Sequence, residues 1–126
     1  MGRKTFFVLG ILWTGLVLAG CLLDSDTIAK APRFDIPYKD KVAHFTFYFV
    51  FSIIWFVYLV KSKPNRSRIW VSILIFTIAS LMGGTVELLQ YYFTSSRSAE
   101  WADELANCLG SLFGVLLCLT LFRRKK

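Results

Sequence analysis

IWVSILIFTIASLMGGTVELLQYYF, residues Ile69 to Phe93, holds a single ionisable side chain, Glu87, in an otherwise uncharged and largely apolar run. A hydrocarbon layer about 30 Å thick needs roughly 17–25 helical residues to cross it, so this run is long enough to span a membrane. Its backbone would meet no water there, which requires a helix that satisfies its own N–H and C=O groups. Three further runs read the same way. Phe6–Leu23 carries no charge, Val42–Val60 only His44, and Leu105–Phe122 none. The short alternating segments of a membrane barrel are not visible. The sequence therefore predicts an all-α fold, a four-helix transmembrane bundle forming one domain over residues 1–126. Its spans are placed at 6–23, 42–60, 69–93 and 105–122.

The composition agrees with this reading. Of 126 residues, 56% are hydrophobic and only 18% charged, against roughly a quarter charged in an average soluble domain. Mean hydropathy is +0.55. The net charge of +7 would by itself suit a nucleic-acid partner, but such binders keep their cations on a solvated face, so no nucleic acid is expected. The cations instead set topology. Arg3 and Lys4, the group Lys61, Lys63, Arg66 and Arg68, and the tail Arg123-Arg124-Lys125-Lys126 share one side of the membrane. By the positive-inside rule that side is cytoplasmic, as are both termini. The opposite side collects every acidic residue except Glu87, namely Asp24, Asp26, Asp35, Asp40, Glu100, Asp103 and Glu104.

Loops are short and marked by breakers, Pro32 and Pro37 in the first and Pro64-Asn65-Arg66-Ser67 in the second. Tyr38 and Trp101 on one side and Trp70 on the other fit interfacial belts. Leu18-Ala19-Gly20-Cys21 has the form of a bacterial lipoprotein cleavage site. The apolar run continues through Leu22 and Leu23, however, which favours an intact first span. Cys21, Cys108 and Cys118 show no metal-ligand or disulfide spacing and, with one histidine in the chain, no metal site and no cofactor is expected.

The polar groups within the spans carry the functional signal, because an ionisable side chain at a helix centre costs about 2.5–3.5 kcal/mol and usually faces the bundle interior. Asp40, His44 and Tyr48 recur at one-turn spacing, as do Gly83, Glu87, Gln90 and Thr94 in the third span. Asp103, Asn107, Gly110 and Gly114 repeat the pattern in the fourth. Gly83, Gly110 and Gly114 suit close helix packing, and the glycine face of the last span is open to a second copy of the chain. With the topology above, His44, Glu87, Asp103 and Asn107 meet at one level near the outer face, with Arg97 in the loop above. Three readings follow. The group can be purely structural, with Glu87 pairing with Arg97 or His44 and with Asp103 and Ser98 capping the last helix. It can bind a polar or anionic lipid headgroup, with Arg97 as the fork. It can perform acid/base chemistry through Glu87 or His44; no nucleophile elbow, metal cluster or glycine-rich phosphate loop accompanies it.

At these residues the chain resembles the VanZ-like family, small bacterial multi-span membrane proteins named after a teicoplanin-resistance determinant. The resemblance rests on the ordered set Asp40-Lys41-Val-Ala-His44-Phe45, Glu87-Leu-Leu-Gln90, Arg97, Asp103-Glu-Leu-Ala-Asn107 and Gly110 to Gly114, and reaches back to the Trp13 region. The tract Ser95–Glu100 departs from the pattern in lacking the glycine that often precedes the arginine, and Gly20-Cys21 falls where the family's first span ends. The resemblance implies a four-helix protein of the bacterial cytoplasmic (inner) membrane with a role in glycopeptide tolerance. The expectation is then a non-enzymatic protein with an outward-facing polar pocket, lined by Asp40, Lys41, His44, Glu87, Gln90, Arg97, Asp103 and Asn107. Its partner is a membrane lipid or a lipid-linked ligand, such as a lipid-tailed antibiotic. The alternative is an enzyme acting on a lipid-linked envelope precursor. A topology reporter fused after Lys126 is expected to score as cytoplasmic; a periplasmic signal would reverse the orientation.

Overall fold

The structure is a computed structural model and describes residues 1–23, 38–94 and 98–122. These form four helices, α1 (Arg3–Leu22), α2 (Lys39–Ser62), α3 (Arg68–Phe93) and α4 (Trp101–Leu121). All four are long and apolar enough to cross a membrane. The expected spans are all present, but α2 and α4 start several residues before their apolar runs do. Their first turns carry Asp40 and the pair Asp103 and Glu104. Acidic side chains are favourable beside the exposed N–H groups of a helix start, so the helix continues where hydropathy has stopped.

Polarity is inverted relative to a water-soluble bundle. Leu12, Ile69, Leu81 and Phe113 are exposed, while His44, Ser52, Glu87, Gln90, Asp103, Asn107 and Ser111 are buried. Lipid is as apolar as leucine, so a bundle in it gains little by hiding leucine and much by pairing its polar groups and packing closely. α2 and α4 form the closest pair, and they run parallel. A Cβ on Gly110 would run into the Phe45 carbonyl, and one on Gly114 would sit 2.8 Å from the Phe49 carbonyl oxygen. Between these contacts the hydroxyls of Ser52 and Ser111 bond at 3.0 Å. Both glycines are thus buried against α2 of the same chain, so a second copy would have to use another face.

α3 returns antiparallel after the turn at Lys63–Ser67, where the Arg66 N–H donates to the Lys63 carbonyl at 3.1 Å. It contributes Val71, Ile75, Ala79 and Val86 to two apolar clusters. One holds Phe56, Val60, Val71, Ile75, Val115 and Cys118. The other holds Val17, Cys21, Tyr48, Phe51, Ala79 and Val86. α1 lies on the outside of α2 and α3. The Trp13 indole donates to the Phe47 carbonyl at 2.9 Å, and Trp55 donates to the Thr14 hydroxyl at 3.2 Å.

Gly110→Ala should therefore be destabilising by about 1–3 kcal/mol, because α2 and α4 must separate to admit a methyl group. Gly15 has open space where its Cβ would be, so Gly15→Ala should be neutral or gain up to about 1 kcal/mol from helix propensity. Thermal unfolding of both variants in detergent checks the pair; equal midpoints would contradict the packing.

Candidate functional site

The C-terminal ends of α1 and α3 and the N-terminal ends of α2 and α4 lie at the same end of the bundle, and among the described residues the buried histidine and carboxylates are there. His44 enters from α2, Glu87 from α3, and Asp103 and Asn107 from α4; each is at least nine-tenths buried. Glu87 lies six residues before the end of α3, about 9 Å along the helix. Helical periodicity puts each polar residue on the inward stripe of its own helix, and the close α2–α4 contact brings the stripes together.

Asn107 holds the centre. Its Nδ2 donates to Glu104 Oε2 at 3.1 Å, and its Oδ1 lies 2.9 Å from His44 Nδ1. The carboxylate takes the amide N–H, so the oxygen must face the ring. A carbonyl oxygen only accepts, so Nδ1 of a neutral His44 carries the proton and Nε2 keeps its lone pair. That lone pair is on the Asp103 side, 3.9 Å from Oδ2. Glu87 Oε1 lies 3.9 Å from Nδ1. Its other oxygen accepts from the backbone N–H of Glu100, at the start of α4, at 3.1 Å. Among the described residues Glu87 Oε1 itself has no hydrogen-bond partner, and neither does the buried Tyr48 hydroxyl one turn along α2 from His44. At the rim Lys41 bridges Glu100 at 3.0 Å and Asp103 at 3.2 Å. These pairs are open to solvent, which screens them.

Of the residues singled out from the sequence, Lys41, His44, Glu87, Asp103 and Asn107 are brought together. Gln90 turns away and donates to the Cys21 carbonyl at 2.5 Å, fastening α3 to α1. Asp40 is exposed at the start of α2, and Arg97 lies outside the described residues. Gly83 belongs to the site through what it lacks, since a Cβ there would be 2.8 Å from Asn107 Nδ2 and would crowd Glu104. Asp103 and Ser98 do not cap α4. Glu100 stands at the N-cap of the helix and makes no side-chain cap bond, and Asp103 is engaged by Lys41. Sequence reasoning missed Glu104 and Cys108. Cys108 Sγ lies 3.5 Å from both Ser80 Oγ and Glu104 Oε1. The spacing of Glu104 to Asn107 and Cys108, three and four residues, was the available signal.

The described part of the site is a packed polar cluster. The open groove along Ser62–Arg66, about 400 Å³, is at the other end of the bundle. Among the described residues Glu87, Glu100, Asp103 and Glu104 stand against one ammonium, Lys41, and the imidazole. Such a group can relay a proton, hold a small cation, or face a headgroup resting on its rim.

A family model described as VanZ/LLP1 matches residues 6–123. No curated protein and no solved structure matches the chain.

Asn107→Ala should strand the buried His44 N–H and lower stability by about 1–3 kcal/mol. Combined with Glu104→Ala in a double-mutant cycle, it should show a coupling of about 0.5–3 kcal/mol by thermal unfolding. Additive losses would mean that the two residues act independently.

Proposed function

Since the chain belongs to the VanZ/LLP1 family, we propose that it is a non-enzymatic multi-pass protein of the bacterial cytoplasmic membrane whose outward-facing polar cluster binds the headgroup of a lipid or of a lipid-tailed antibiotic. The observation that carries this reading is the buried convergence of His44, Glu87, Asp103 and Asn107 from three helices. Membrane-embedded groups of this kind are costly and commonly mark a functional site. The setting supports a lipid-like partner. Tyr38, Tyr91, Tyr92, Phe93 and Trp101 are strongly exposed around the same end, as aromatic residues at the headgroup level are. A headgroup at the rim would meet Lys41, Glu100 and Asp103, while its tails lie along the apolar flank. Positive-inside topology puts this end outward, because Arg3, Lys4 and the basic Lys61–Arg68 turn are at the other. Arg97 remains the residue best suited to a phosphate or carboxylate. Protection against a lipid-tailed glycopeptide is the phenotype that follows.

A second reading is favoured by one atom. Glu87 Oε1, without a hydrogen-bond partner among the described residues and 3.9 Å from the His44 ring, has the surroundings of a general base. On that reading the protein turns over a lipid-linked envelope precursor.

Two measurements separate the readings. Teicoplanin susceptibility of an expressing strain should fall, and Glu87→Gln and Arg97→Ala should each abolish the protection at unchanged membrane abundance. Susceptibility equal to the empty-vector control removes the glycopeptide role. If the protein is an enzyme, expression also changes the lipid-linked precursor profile and Glu87→Gln restores it; a profile matching the control removes catalysis.

A further inference from the structure

We infer that the cluster is a binding site for one first-row divalent cation, Zn²⁺ or Mn²⁺, held by His44, Glu87 and Asp103; this rests on the proposed reading of the same cluster as a functional site. One ligand atom from each of the three residues lies within 4.8 Å of the others, and all three residues are buried. Side-chain movements of a fraction of an ångström to about an ångström would bring them to the roughly 2.0–2.2 Å distances of a bound zinc. The donor set suits such an ion, since imidazole favours zinc and its neighbours while carboxylates favour harder ions such as manganese.

Two independent observations point to a ligand. Glu87 is 6% exposed, and among the described residues its Oε1 has no hydrogen-bond partner although it lies beside the histidine. A buried carboxylate oxygen without a donor is unfavourable, and a cation would satisfy it. The second is the histidine's tautomer. A metal-binding histidine usually donates its other ring N–H to an oxygen that fixes the ring. Here Glu104 orients Asn107, whose Oδ1 lies 2.9 Å from His44 Nδ1, so that a neutral ring donates from Nδ1 and presents the Nε2 lone pair on the side of Asp103. The chain Glu104–Asn107–His44 is thus built as the outer support of a metal ligand.

Charge argues the same way. Among the described residues, four carboxylates gather around Lys41 and the imidazole, an acid excess at the end of a membrane bundle. A divalent ion removes two units of it. Three protein donors also leave coordination positions for water or an oxygen of a headgroup.

The full chain is purified in detergent without lipid, stripped with EDTA and desalted, then titrated with ZnCl₂ and, separately, MnCl₂ by calorimetry. Bound metal is measured by mass spectrometry. The expected result is roughly one equivalent of at least one ion, with a thermal midpoint that rises with its concentration. His44→Ala, Glu87→Gln and Asp103→Asn should each abolish uptake, and Asn107→Ala should weaken it by about 10–100-fold. Replacing Cys118, in the apolar cluster toward the other end of the bundle, by serine should leave it unchanged. Wild-type protein that takes up neither ion, triad variants that bind as wild type does, or loss of binding in the serine variant would each overturn the inference. If the triad variants do not survive purification, the wild-type midpoint decides, and its failure to move with either ion is the negative result. Uptake is read without lipid or antibiotic, so its failure leaves the susceptibility test standing, and the reverse also holds.

Discussion

Inside hydrocarbon a polar side chain has no water to fall back on, so each one must find another polar group or face a wet rim. That constraint organises this bundle. His44 of α2 bonds Asn107 of α4, and Glu87 of α3 accepts from the Glu100 N–H at the start of α4, so these bonds require α2, α3 and α4 to meet at one end. Gly83, Gly110 and Gly114 then make the meeting possible. The Phe45 carbonyl lies where a Cβ on residue 110 would stand, and Asn107 fits under residue 83 because no Cβ intervenes. Each part depends on the other. Without the close approach the amide could not reach the imidazole, and without that bond the close approach would bury unpaired groups.

The fold was largely legible because the dominant physical signal, a long run without charge, is written locally. The four spans follow from Ile69–Phe93 and its three counterparts, and the inward stripes follow from one-turn spacing. What escaped was relational. Nothing local to Gln90 says that its amide ends on the Cys21 carbonyl of α1 rather than with His44. Gly110 and Gly114 announce close packing without naming the partner, which is α2 of the same chain. Glu104 read as one more acid of an outer loop, and only the helical start at Trp101 turns it toward Asn107. Hydropathy could not place that start, since the first turn is polar.

Depth sorts the interior. The ionisable groups lie within a few turns of one end of the bundle. Further in along α2 and α4 come Ser52 and Ser111, whose hydroxyls satisfy each other without charge. Beyond them, toward the other end, lies the cluster of Phe56, Val60, Val71, Ile75, Val115 and Cys118. From the acidic end to the serines at mid-helix the penalty for a polar group rises toward the bilayer centre, and the groups become less polar in step.

This gradient bears on why the acidic end persists at all. Structural glue would be supplied more cheaply by serine pairs such as the one at Ser52 and Ser111, which need no counter-charge. A carboxylate at Glu87 instead brings a desolvation cost, and only one of its oxygens is repaid, by the Glu100 N–H. The histidine is oriented by a second residue that is itself oriented by a third. Packing alone does not require such a relay, because a methionine or leucine of similar volume would fill the space with fewer constraints. Retaining several titratable groups in one fixed geometry is what a site needs, and the apolar and glycine contacts below supply the rigidity that holds them there.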